Sequence, residues 1–150
     1  MIIISHRGNL TGPNSETENN PEQIITCINK GYDVEIDLWY NDVGYFLGHD
    51  YPKYKVDLVD FLYKYRKQLW IHCKNIESLG KLLDSGLSLN FFWHQNDDYT
   101  VTTWDYIWSY PNTTPPYFKN QILLDFSKTV DFDYYKSLDI KGICVDYVEK

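Results

Sequence analysis

Arginine is scarce in this 150-residue chain, which has only Arg7 and Arg66, and its 14 basic side chains face 21 acidic ones for a net charge of −7. That balance argues against a protein that coats nucleic acid and against a polybasic membrane patch; its ordinary consequence is solubility. Cysteine is also sparse. Cys27, Cys73 and Cys144 are odd in number and widely spaced, with no C-x-x-C pair, which excludes a disulfide framework or a zinc site and points to buried thiols in a reducing compartment. No apolar run is long enough to span a membrane, and the opening MIIISHRGN turns polar too soon for a signal peptide. The expectation is a single cytoplasmic domain over 1–150, without linkers or low-complexity segments, whose oligomeric state the sequence leaves open.

What is present is a rhythm of short apolar or β-branched runs alternating with amphipathic ones. Strands are expected over 2–7, 33–39, 45–48, 69–74, 89–95, 105–110, 121–126 and 142–147, and helices over 21–30, 56–67, 76–85 and 131–138. Asn20 and Pro21 open the first helix as N-cap and first helical residue, and Gly31 suits its left-handed C-terminus; Gly86 ends the third in the same way. Strand and helix in alternation imply right-handed crossovers and a parallel sheet, with 45–48 as a hairpin addition. Parallel strands are apolar on both faces, so their ionisable residues stand out. In GYDVEIDLWYNDVGYFLGHD (31–50), Glu35 and Asp37 lie two apart on one strand face. His72 and Lys74 do the same near the end of theirs, and His6, His94, Asp125 and Asp146 each fall late in a strand. In α/β enzymes the C-terminal strand ends form the rim that carries the chemistry.

The blocks HRG (6–8), TEN (17–19), VEIDLW (34–39) and GHD (48–50) resemble, in order and spacing, the signature of the glycerophosphodiester phosphodiesterase family, relatives of phosphatidylinositol-specific phospholipase C. The likeness covers the first 50 residues and weakens beyond residue 75. WIHCK keeps the family's lysine as Lys74 but has His72 where a carboxylate is usual, and GICVDY is similar to the family's last barrel strand. The resemblance implies a TIM-type (β/α) barrel with its active site at the C-terminal strand ends. At 150 residues, against roughly 250 for a full barrel, it would be compact or incompletely closed. It also implies cleavage of a small phosphodiester with a divalent cation, Mg²⁺, Ca²⁺ or Mn²⁺.

The residue types fit that chemistry. A phosphodiester needs its charge neutralised, a nucleophile deprotonated and a leaving alkoxide protonated. Glu35 and Asp37 offer hard oxygen ligands, Glu18 a further ligand or a supporting group, and His72 a nitrogen ligand, a substrate contact or a structural ring. His6 and His49 have the type and placement of a general acid–base pair, with Asp50 able to orient the second. Arg7 offers a fork to phosphate oxygens or a salt bridge at the rim, and Gly8 a close backbone approach or a turn. Lys74 and the block FFWHQNDDYT (91–100), with His94, Gln95, Asp97 and Asp98, are candidates for substrate contact; Trp93, Trp104, Trp108 and Tyr110 are either core or the floor of a sugar site. A lyase that stops at a cyclic phosphate needs the same residues, and a binding module that has lost turnover would keep most of them.

Overall fold

The computed structural model describes residues 1–149, in which ten strands join one hydrogen-bonded sheet. Strands β1 (Ile2–His6), β2 (Asp33–Asn41), β5 (Leu69–Cys73), β6 (Phe91–Trp93), β8 (Ile107–Ser109), β9 (Gln121–Asp125) and β10 (Gly142–Val145) form a parallel run in the spatial order β6-β5-β2-β1-β10-β9-β8. The remaining three are antiparallel additions. β3 (Gly44–Leu47) folds back on the far end of β2, β4 (Tyr54–Val56) extends it, and β7 (Tyr99–Val101) pairs with β8. The expected mixed α/β class and parallel strands are therefore present, but the sheet is not closed, because no ladder joins β6 to β8 among the described residues.

Side-chain alternation explains how the sheet curls. On one face Ile4, Trp70, Phe92, Trp108, Ile122, Leu124 and Cys144 form a single buried cluster drawn from six of the parallel strands. Phe92 and Trp108 belong to the two ends of the run, yet their rings stack with centroids 4.8 Å apart. The edges thus meet through side chains where backbone bonding stops. Each such large apolar residue contributes roughly 1.5–3 kcal/mol by leaving water. The other face carries Val34, Ile36 and Leu38 of β2 against helices α1 (Pro21–Asn29) and α2 (Ile76–Asp84).

Helix ends follow local chemistry. The Asn20 side chain accepts from the Glu22 backbone N–H at 2.9 Å with Pro21 behind it, and Asn75 caps α2 by accepting from Ser78 N–H. Asn75 also exchanges two hydrogen bonds with the Tyr40 backbone, tying α2 to the end of β2. The helix expected over 56–67 is instead a six-residue π-helix, Leu58–Tyr63, in which Leu62 N–H donates five residues back to the Asp57 carbonyl. The wider turn lets the adjacent Phe61 and Leu62 both reach the core. The expected last helix is short, α3 (Phe132–Ser137), and the connection from β8 to β9 has none.

Candidate active site

Continuing two residues beyond the buried cluster reaches a different kind of residue on five of the parallel strands, and a further aromatic ring on β9. Ile4 is followed by His6, Trp70 by His72, Phe92 by His94, Trp108 by Tyr110, Leu124 by Phe126 and Cys144 by Asp146, while β2 presents Glu35 and Asp37. Because this step keeps the same face, the apolar filling gives way to a polar rim. There a cavity of about 390 Å³ is lined by His6, Arg7, Glu35, Asp37, His49, His72, Lys74, His94 and Gln95, with Trp93, Trp108, Tyr110 and Phe126 as its apolar wall. His6, Glu35, Asp37 and His49, expected to converge, do so.

Glu35 and Asp37 are 3% and 1% exposed. One ligand atom from each, together with one from His72, lies within 4.8 Å of the others. His72 Nδ1 stands 3.2 Å from Asp37 and 3.9 Å from Glu35, and the opposite ring nitrogen, Nε2, donates to the His94 carbonyl at 3.2 Å. With Nε2 holding a proton, a neutral ring aims the Nδ1 lone pair at two carboxylates, which is repulsive unless a proton or a cation lies between them. This donor set fits a divalent cation, with two hard oxygens and one imidazole whose tautomer is fixed from behind. Burial and the neighbouring Asp37 push Glu35 well above the usual carboxylate range. Asp37 is also penalised by burial, but His49, His72, Lys74 and Arg7 outweigh that and hold it well below.

The loop after β1 builds the support. Arg7 adopts a left-handed conformation (φ 55°) and Gly8 follows at 83°, so the chain turns back at the strand end. Gly8 does not line the cavity; its carbonyl accepts from Gln23 and Cys27, so it serves as a turn. Arg7 Nε lies 3.3 Å from Asp37 and Nη1 3.3 Å from Glu18, leaving Nη2 beside His49 at 3.4 Å. Two arms of the expected phosphate fork are therefore salt bridges across the rim. Glu18, expected as a metal ligand or a supporting group, falls outside the three-residue cluster, because its oxygens are engaged by Arg7 and Asn9. Lys74 Nζ is 3.6 Å from Asp37 and lines the cavity as expected.

Two residues without an assigned role from sequence complete the support. Asp146 takes the Nδ1–H of His6 at 2.8 Å and the Asn9 amide at 2.8 Å, which leaves His6 Nε2 as the lone-pair nitrogen, 3.8 Å from Glu35. Ring tautomers are set by such second bonds. Asn19, fully buried at φ 60°, clamps Asp37 by accepting from its backbone N–H at 2.8 Å and donating to its carboxylate at 3.0 Å. The signals were the aspartate late in GICVDY and the asparagine of TEN. Asp37 stands 3.4 Å from His49 Nδ1, whereas Asp50, expected to orient that ring, is exposed and 3.7 Å from the other nitrogen.

Of the 91–100 block, His94 and Gln95 reach the cavity, and Asp97 and Asp98 do not. The His94 ring stacks on Tyr110 at 3.5 Å and bonds to the Asp97 carbonyl, and burial pushes its pKa down. Trp104 lies away from the site, and Asp125 faces a second cavity. Comparison with protein-family models, with curated proteins and with solved structures finds no match to this chain.

Proposed function

We propose that the chain is a metal-dependent phosphodiesterase of glycerophosphodiester type, built on a compact, incompletely closed (β/α) barrel and acting on a small polar diester. The observation that carries this reading is the His72 ring nitrogen facing the two buried carboxylates while its other nitrogen is held by the His94 carbonyl. Four carboxylates (Glu18, Glu35, Asp37 and Asp146) meet two permanent cations, Arg7 and Lys74, in one connected network. Burial favours a proton on Glu35, and a divalent ion between Glu35, Asp37 and His72 would take the place of that proton while balancing the remaining buried negative charge.

Glu35, Asp37 and His72 would hold Mg²⁺, Ca²⁺ or Mn²⁺, and the bound ion supplies charge neutralisation to a phosphate oxygen. Lys74 and Arg7 Nη2, which pairs with no carboxylate, bind the remaining phosphate oxygens. His6, with Nδ1–H tied to Asp146, takes the proton of the attacking hydroxyl on Nε2. That hydroxyl belongs to water or to the substrate's own alcohol. His49, 39% exposed and flanked by Asp37 and Asp50, acts in its protonated form and gives that proton to the leaving oxygen. The apolar wall of Trp93, Tyr110 and Phe126 keeps bulk water away from this exchange. The three unpaired, buried cysteines fit the expected cytoplasmic setting.

The test is turnover of glycerophosphodiesters by the purified chain. EDTA abolishes cleavage and added Mg²⁺, Mn²⁺ or Ca²⁺ restores it, while His6→Ala and His49→Ala each lower kcat by about 10²–10⁴. A folded chain inert towards every diester, yet stabilised thermally by phosphate, overturns the catalytic reading in favour of a binding module.

A further inference from the structure

Asp125 ends β9 in register with Val145, the residue before Asp146, and it points away from the active-site cavity. It belongs to a second cavity of about 370 Å³ on the outer side of β9, bounded by α3 and by the connection from β8. Phe126 and Leu124 line both cavities and form the wall between them, and the Phe126 ring lies 4.6 Å from that of His6.

The lining of this second cavity differs in kind from the first. Asp125 is its one charged residue, and no lysine, arginine or histidine lines it. An anionic ligand is therefore disfavoured. Four aromatic side chains, Tyr117, Phe126, Tyr134 and Tyr135, share that lining, and Tyr135 touches the carboxylate. Tyr134 and Tyr135 meet at a corner, with centroids 5.2 Å apart and planes at 66°, so one small group can touch both rings. Three of the five lining hydroxyls, by contrast, are committed. Tyr135 donates to Asp125 at 3.1 Å, Tyr117 to the Thr113 carbonyl at 3.2 Å, and Ser127 to the Thr129 carbonyl at 3.4 Å. A sugar would need those donors and acceptors free. A cation needs ring faces and a carboxylate.

We propose that this second cavity is a binding site for an alkylammonium group, held against the Tyr134–Tyr135 corner and neutralised by Asp125. The site stands on its own lining and does not depend on the diesterase reading. Tetramethylammonium chloride is the probe, titrated into the full chain and followed by NMR shifts of the tyrosine ring protons. Saturable binding is expected, with the neutral isostere tert-butanol and the polyol inositol each at least tenfold weaker. Tyr134 is half exposed, so its replacement leaves the core intact. Tyr134→Phe keeps the ring face and the affinity, whereas Tyr134→Ala and Asp125→Asn each weaken binding about 3–30-fold. Equal binding of tert-butanol, preference for inositol, or affinity indifferent to Tyr134→Ala overturns the proposal. An inert diesterase that still binds tetramethylammonium in this pattern leaves it standing.

Discussion

At the scale of single residues, the site depends on second contacts that fix which ring nitrogen carries a proton. Asp146 does this for His6 and the His94 carbonyl does it for His72. Asp146→Asn preserves shape, and its oxygen can still accept from both His6 and Asn9, but it removes the negative charge that stabilises the His6 ring once that ring has taken a proton. The expected outcome is a kcat lowered by about 10²–10³ with KM little changed and an altered pH–rate profile. A merely structural role would show in a thermal melt and leave the profile in place. These partnerships were the least legible part of the chain, because 140 positions separate His6 from Asp146. Glu35 and Asp37 were legible only beside the histidines and the resemblance, since two carboxylates on one strand face can equally mark a solvent-exposed strand end.

At the scale of elements, five of the seven parallel strands carry an apolar layer followed by a polar tip, whereas β9 continues into Phe126 and β2 presents Glu35 and Asp37. The seven rim strands expected are the seven found, and 45–48 is the hairpin addition it was expected to be. β4 and β7 went unrecognised because each is three residues long, antiparallel and at a sheet edge, where apolar alternation has no core to enforce it. The π-helix was hidden for a different reason: its apolar residues fit a helical period whichever way the turn is wound. The turn after β3 deserves a test of its own, since it carries His49. A Cβ on Gly48 would sit 2.0 Å from the Tyr51 carbonyl oxygen, so Gly48→Ala must displace backbone. Denaturant melts should show a loss of about 1–3 kcal/mol, with diesterase activity falling further than stability alone explains. An unchanged melt with full activity would mean that the turn yields freely.

At the scale of the whole molecule, the short length pointed to a compact or incompletely closed sheet, but where it stays open could not be read, because the Phe92–Trp108 stack takes the place of a ladder between two short strands. Among the described residues no helix is long and apolar enough to cross a membrane. The opposite end of β2 tests global stability apart from the site. Asp33 accepts from the Trp70 indole N–H at 2.9 Å, and burial raises its pKa from 3.8 to about 6. A raised carboxyl pKa means that the fold holds a proton the unfolded chain has released, so this residue's contribution falls as pH rises from about 4 to 6. Asp33→Asn should remove that part of the slope, worth about 1–2 kcal/mol after solvent screening, in urea melts at pH 4 and pH 7. Equal slopes for both proteins would show that Asp33 titrates normally.

The central claim is that Glu35, Asp37 and His72 hold a divalent cation. Its most direct test is a titration of the ¹⁵N-histidine-labelled chain with Mg²⁺ and then Mn²⁺ at pH 7.5. One saturable site is expected, at which the His72 Nδ1 resonance shifts with Mg²⁺ and broadens first with Mn²⁺. Both effects should be lost in Asp37→Asn and weakened as pH falls and protons compete for the ring. A His72 resonance that responds to neither ion at millimolar concentration, or that responds equally in Asp37→Asn, would contradict it.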